Sequence, residues 1–372
     1  MKHFYSLMMM AAICSLFLAS SVIAMPQFAA STGQPCSQCH TNPTGCWMRN
    51  TYGAQYYAQM SLPVHKIAAD QVSKFTPAIS DNISLGADIR TLYLYRKFKG
   101  DSSTMTTSTF FQMENNFYVN AQLGDKFSMS YFIDPSFNFF TTYQAWGMAN
   151  ILPFNGYIRA GRFQPSYGWR FADHTSFVRD SLGWSATYSD PGMEIGLNPT
   201  NISFNAGIFN GNNGPADIDK GKSVAARLEL QKKFDFWGAA VGGSYWRNDL
   251  DSATVSMYGP FYYISLFDGK VVYLGELDWL KGIHSDSLKM VTTHNLFFVP
   301  VQGLWLGATY DFSDPNTKVK SGSTTRYAGV ANIFPIAFME IEPMVRYYSI
   351  DLGPGVAKNH LTEYMMKFHF FF

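Results

Sequence analysis

The chain has 372 residues, 47% of them hydrophobic and 17% aromatic, with only 15% charged. That balance is too apolar and aromatic for a disordered chain. The formal net charge of +1 leaves no basic field to attract nucleic acid. Past residue 25 there is no apolar run of the roughly 18 residues that a membrane-spanning helix needs. An aromatic-rich, sparsely charged chain without a helical span points to a transmembrane β-barrel.

The first residues read as an export signal over 1–24. Lys2 and the amino terminus give a short positive region, Leu7–Leu18 is almost wholly apolar, and Val22-Ile23-Ala24 offers small or medium residues for cleavage. Cys14 lies in the apolar stretch with no small-residue lipobox before it, so no lipid anchor is expected.

Next comes Pro35-Cys36-Ser37-Gln38-Cys39-His40. C-x-x-C-H is the attachment sequence of a c-type haem. Two thiols three residues apart can each add to a haem vinyl group, and the adjacent histidine is placed as proximal ligand to the iron. A disulfide-exchange C-x-x-C belongs in a βαβ context that this stretch lacks. A zinc site needs further ligands, and only Cys46 and His65 are close in sequence. The expectation is one haem c over residues 25–80, with Cys36 and Cys39 as thioether positions and His40 on the iron. Trp47–Ser61 reads as a helix with Met48, Tyr52, Tyr56 and Met60 on one stripe. That stripe could cover a haem face or simply pack against the barrel. The distal candidates are Met60, His65 and Met48, in that order, with five-coordinate iron as the other option.

From residue 81 the pattern changes to period two. Ile83, Leu85, Ala87 and Ile89 alternate with Ser84, Asp88 and Arg90, and Met339, Ile341 and Val345 alternate with Glu340, Glu342 and Arg346. At the C-terminal end Tyr364, Met366, Phe368, Phe370 and Phe372 face away from Glu363, Met365, Lys367 and His369. An apolar face opposite a charged one fits lipid outside and a wet lumen inside. About sixteen strands are expected, starting near residues 82, 109, 126, 141, 155, 192, 201, 223, 236, 254, 270, 287, 303, 325, 339 and 361, a count in the usual range for outer-membrane barrels. The fold class is therefore all-β, a transmembrane antiparallel barrel over 81–372 preceded by a short, mainly helical and looped haem-binding segment.

Gly161-Arg-Phe-Gln-Pro-Ser-Tyr-Gly-Trp-Arg170, followed by His174–Arg179, resembles a strand end and pore-folding loop of the phosphate-selective (O/P-type) porin superfamily. Phe209–Gly214 and Val224–Glu229 resemble a later hairpin of the same superfamily. Arg159, Arg162, Arg170 and Arg179 make no dense cationic ladder, and they read as lumen and rim charges paired with acids. With Cys36, Cys39 and His40, and with Phe28, Thr32-Gly33 and Tyr52-Gly53 around them, the whole resembles the outer-membrane monohaem cytochrome–porin fusions of iron-oxidising bacteria. The stretch Thr41–Asn50 departs from that pattern, which leaves the electron donor and the direction of transfer open.

The resemblance implies an outer-membrane electron conduit in a Gram-negative bacterium. Its haem segment would lie on the periplasmic side or in the lumen. Its partners would be a periplasmic cytochrome and an extracellular electron donor or acceptor, Fe(II) among them, with outer-membrane lipid around the barrel. The alternative is a transport porin for small anions or solutes with a haem-bearing plug or sensor segment. A haem enzyme acting on a small molecule such as peroxide is a third class. No G-x-S-x-G, P-loop or zinc motif is present.

A segment of 56 residues, 25–80, is too small to bury much core of its own. Expressed alone with haem, it is expected to melt without a cooperative transition in circular dichroism; a sharp, salt-resistant melt would contradict its dependence on the barrel.

Overall fold

The computed structural model describes residues 26–100, 103–124, 128–134, 144–171, 173–184, 188–214, 216–217, 219–251, 253–282 and 287–372. The export signal read at 1–24 lies outside them. Sixteen strands run in chain order. The first eight are β1 Ile83–Lys99, β2 Thr104–Leu123, β3 Met129–Asp134, β4 Gln144–Leu152, β5 Gly156–Phe163, β6 Asp190–Leu197, β7 Ile202–Phe209 and β8 Ser223–Lys233. The others are β9 Trp237–Asp249, β10 Thr254–Leu266, β11 Val271–Lys281, β12 Leu288–Val301, β13 Leu304–Asp314, β14 Thr324–Ile333, β15 Met339–Ile350 and β16 Asn359–Phe371. Each expected start falls within five residues of an observed one. Every strand pairs antiparallel with its neighbours, and β1 joins β16 from Asp88↔Phe371 to Lys99↔His360, closing the barrel.

The period-two pattern sorts side chains as expected. On β16, Tyr364 and Phe370 are about half exposed on the outside, while Glu363, Lys367 and His369 are buried inside. Phe371, read as nothing more than part of the aromatic end, also turns inward. Ile89, Ile195, Leu228, Val241, Leu296, Leu306 and Val345 continue the outer apolar belt. A closed sheet with such a belt can sit in lipid, because every backbone group of the wall finds its partner within the wall. Among the described residues no helix is long and apolar enough to cross a membrane.

The two ends of the barrel differ. At one end the turns are short, such as 234–236 between β8 and β9 and 302–303 between β12 and β13. At the other, the longest connection, 164–189 between β5 and β6, folds back into the bore. It buries Tyr167, Trp169, Phe171, Phe177, Val178 and Trp184 there, as the porin-like sequence stretch led us to expect. Asp173 in this loop binds Arg326 of β14 at 2.9 Å and Arg346 of β15 at 2.8 Å. The Phe177 amide donates to Asp311 of β13 at 3.1 Å, and Arg326 donates to the other oxygen of Asp311 at 2.7 Å.

The N-terminal segment closes the short-turn end. It contains helix α1 (Pro26–Thr32), a single helical turn α2 (Cys36–Cys39), helix α3 (Tyr52–Ser61) and a 3-10 turn over Val72–Lys74. Ser31 Oγ donates to Gly269 O at 3.1 Å, Lys233 Nζ to Thr32 O at 3.2 Å, and Gln302 Nε2 to Met60 O at 2.7 Å. The Val64 amide donates to Phe334 O at 2.8 Å. Deeper in, Arg49 pairs with Asp88 of β1 at 3.1 Å and stacks over Phe371 at 4.1 Å from the ring centre. So the segment is attached to turns around the mouth and reaches into the bore.

Arg326 and Asp311 are both fully buried. Removing one member of such a pair leaves a charge without a partner and costs about 3–5 kcal/mol. Arg326→Ala should therefore lower the denaturant midpoint of the micelle-bound barrel and expose the 164–189 loop to protease. Equal midpoints and equal cleavage would show that the latch does not hold the loop.

Candidate haem-attachment site

The C-x-x-C-H stretch forms one turn of helix, started by Pro35 in extended conformation and stopped at His40, whose backbone is again extended and donates to Cys36 O. A short antiparallel bridge between His40 and Arg49 follows, with the Asn50 amide donating to Cys39 O at 2.9 Å and the Thr41 amide to Met48 O at 3.1 Å. Helix α3 crosses so near that a Cβ on Gly53 would lie 2.2 Å from Cys39 O. The glycine that weakens the helix in sequence is thus required by the approach. Helix α3 is wound with i→i+5 bonds, ending in Leu62 N to Tyr57 O at 3.0 Å.

His40 is buried, and its Nδ1 lies 3.2 Å from Trp47 O. A carbonyl can only accept, so Nδ1 carries the proton and Nε2 keeps its lone pair. Burial, with the nearby Arg49 cation adding to it, pulls the imidazole pKa down to about 4, so the ring is neutral at physiological pH. Burial likewise raises the Cys39 thiol to about 12, Arg49 opposing in part. Cys36 is raised further still, by burial and then by the Glu229 carboxylate.

Two spaces border this turn. The larger, about 500 Å³, lies between the segment and the wall, and Cys36, His40, Cys46, Trp169, Arg170 and Arg227 line it. Its size is within the range of cofactor and ligand pockets. The smaller is mainly apolar and is lined by Phe28, Cys39, His40, Tyr57, Leu62 and Phe371, with His369 at its charged edge. The residues fit a c-type haem in three respects: two thiols on one helical turn, a neutral imidazole whose Nε2 keeps its lone pair, and the larger space bordered by Cys36 and His40, with Cys39 bordering the smaller one. A ligand histidine at a metal centre usually donates its other ring N–H to a carbonyl or carboxylate, which fixes its tautomer and orientation.

The distal candidates are dispersed. Met48 is fully buried, but in a cluster with Tyr118, Phe132 and Trp146 against the wall. Met60 is partly buried, its backbone carbonyl accepting from Gln302, and His65 is exposed, bridged to Ile336 in the β14–β15 turn. None of the three lines either space. The expected helical stripe also breaks up: the helix begins at Tyr52, leaving Met48 off it, and Tyr56 is 47% exposed. The cause is the reversal at Gly45, Cys46 and Trp47, all with positive φ, which no periodicity reports.

Sequence reading missed the side chains that hold the segment. Arg159, taken as an ordinary lumen charge, is fully buried; it pairs with Glu194 at 2.6 Å and donates to Asn42 Oδ1 at 2.8 Å. Among the described residues Arg170 pairs with no acid, unlike the expectation: it binds Gln164 and lies 5.1 Å from the Trp47 ring centre. Cys46 Sγ lies 3.8 Å from Arg170 O.

No protein-family model matches the sequence, and no curated protein matches it. Among solved structures, similarity is at the level of fold. OprB of Pseudomonas putida superposes with a TM-score of 0.63 at 8% identity, over 85% of this chain and 100% of that one. An anion-selective porin from Comamonas acidovorans gives 0.55 at 12%, over 78% and 99%. OmpT of Vibrio cholerae gives 0.51 at 10%, over 79% and 99%. The chain therefore has the fold of porin-type outer-membrane barrels.

The raised thiol pKa has a measurable consequence. At pH 8 a thiol of pKa about 12 is ~1 in 10,000 thiolate, whereas an ordinary cysteine is about a fifth ionised, and only the thiolate reacts. In the haem-free folded chain, alkylation of Cys39 by iodoacetamide should run at least about a thousandfold slower than after unfolding in denaturant. Comparable rates would place Cys39 in solvent.

Proposed function

We propose that this porin-type barrel resides in the outer membrane, carries one c-type haem on Cys36, Cys39 and His40, and works as an electron conduit. It would pass electrons between an extracellular donor or acceptor, Fe(II) among them, and a periplasmic cytochrome. The observation that carries this reading is the position of the C-x-x-C-H turn. It sits inside the bore at the short-turn end, which in such barrels is the periplasmic one, with its histidine already oriented by Trp47 O. When bound, the haem supplies a one-electron carrier whose potential follows from axial ligation and burial. The protein's own part is to hold the imidazole neutral and directed, to bury Cys39, and to border it with Phe28, Tyr57, Leu62 and Phe371.

The fold neighbours favour a second reading, and they support it more directly than they support electron transfer: a transport porin for small anions or solutes, with the 25–80 segment as its haem-bearing plug or sensor. Each of the three is an outer-membrane protein of this fold, and one is described as anion-selective. Two insertions narrow the bore, and Arg159, Asp311 and Arg326 are fully buried against them.

Reconstitution in vesicles separates the two. Purified protein from a host that attaches c-type haem should show haem absorption, reduction by external Fe(II), and delivery of electrons to an enclosed acceptor. His40→Ala should lose at least 90% of that delivery. Ion conductance in a planar bilayer with no haem in the purified protein would overturn the conduit reading and leave the porin.

A further inference from the structure

We infer that Asn42 is the positioning residue for the His40 ring, and that Arg159 of the barrel wall fixes Asn42 for this task; the inference rests on the haem reading above. The turn from Thr41 to Met48 is unusual. Gly45, Cys46 and Trp47 follow one another with φ of +87°, +62° and +56°. Cysteine and tryptophan gain nothing locally from the left-handed region, and such residues persist only where their surroundings hold them there. The result of the reversal is specific. It turns the Trp47 carbonyl toward His40 Nδ1, the hydrogen bond that leaves Nε2 with its lone pair.

What holds the turn is Asn42, itself 3% exposed. Its Nδ2 donates to Gly45 O at 2.9 Å, and its backbone carbonyl accepts from the Gly45 amide at 3.0 Å. Its Oδ1 accepts from Arg159 Nη1 at 2.8 Å and from the Thr44 amide at 3.4 Å. Arg159 is held in turn. Its other arm binds Glu194, which also accepts from Tyr157 Oη at 2.8 Å and from Ser166 Oγ at 2.6 Å, and its guanidinium lies 3.9 Å from the centre of the Phe163 ring. An unbroken line of buried contacts thus runs from the β5–β6 loop at Ser166 through Glu194, Arg159 and Asn42 to the turn that presents Trp47 O. The arginine beside the Gly161-Arg162-Phe163 stretch serves the haem segment, whereas the sequence suggested only a lumen charge.

Without the Asn42 side chain, Gly45 O and one arm of Arg159 lose their partners and the reversal is free to relax. The imidazole then loses its acceptor, donates less electron density through Nε2, and stabilises the oxidised iron less, so the midpoint potential rises. Losing a partner that orients a ligand histidine typically costs 10- to 100-fold in metal affinity or activity.

The test uses the full chain in detergent, from a host that attaches c-type haem, with Asn42→Ala compared to Asn248→Ala. Asn248 is equally buried and donates to Gly211 O at 2.9 Å, away from the turn. Asn42→Ala should keep its haem while the reduced-to-oxidised ratio at fixed potential rises about tenfold, a shift of about 59 mV for one electron; Asn248→Ala should match the parent. In parallel, with Cys36 and Cys39 both changed to serine, amide exchange over residues 44–48 should be at least about tenfold faster with Asn42→Ala than without it. An unmoved midpoint overturns the inference even if exchange quickens, and so does an equal effect from Asn248→Ala. If the parent itself takes up no haem, the proposed function fails, and the exchange comparison alone decides whether Asn42 holds the turn.

Discussion

Closure of the backbone hydrogen-bond ladder is the constraint on which the rest of this molecule depends. In lipid an unpaired strand edge has no water to turn to, and each unpaired group costs several kcal/mol. Pairing of β1 with β16 removes both edges, and once the sheet is a cylinder the period-two pattern assigns every second side chain to the interior. Charged residues are scarce in the chain as a whole, and many of them are gathered there: Asp88, Arg90, Glu340, Glu342, Lys367 and His369 are all buried on the inner face. They are tolerated because they pair, as Lys367 does with Glu342 at 2.8 Å and His369 with Asp88 at 2.7 Å.

A sixteen-strand cylinder is wide enough to need filling or to be left wet. Here two insertions from opposite ends fill much of it, and they use different means. The β5–β6 loop enters with aromatic bulk and is latched by Asp173 between two arginines. The N-terminal segment is fastened mostly by neutral hydrogen bonds to turns, with Arg49–Asp88 as its charged contact inside. The two insertions meet at Arg170, whose carbonyl lies next to Cys46 and whose guanidinium faces Trp47.

Much of the wall was legible in the sequence because a strand's faces are set by residue parity, and parity survives in a single chain read alone. The sixteen strands follow from it, and the resemblance around Gly161–Arg170 anticipates the inward fold of the next loop. The C-x-x-C-H turn was legible as a local motif. Its surroundings were not. Where Met48, Met60 and His65 end up depends on a backbone reversal at Cys46 and Trp47, residue types that carry no turn signature. Asn42, which binds Gly45 in that reversal, is itself met from more than a hundred residues away, by Arg159. Long-range pairing of this kind leaves no spacing to read.

The choice between carrying electrons and carrying solutes turns on the same packing. A solute path needs a continuous wet lumen, whereas Arg159, Asp311 and Arg326 are fully buried against the two insertions. An electron carrier needs the opposite: a fixed, dry ligand set, because its potential and its distance to partners both depend on position. His40 is buried, neutral and hydrogen-bonded through Nδ1, which on the proposed reading leaves Nε2 for iron. A plug that withdrew to admit solute would have to break the His40 surroundings each time, including the Arg159–Asn42 contact in a fully desolvated place. Such contacts are costly to open, because each leaves a charge or a donor without a partner. On the proposed reading, the anchoring that would resist withdrawal of the plug is the same anchoring that would keep a ligand frame in place.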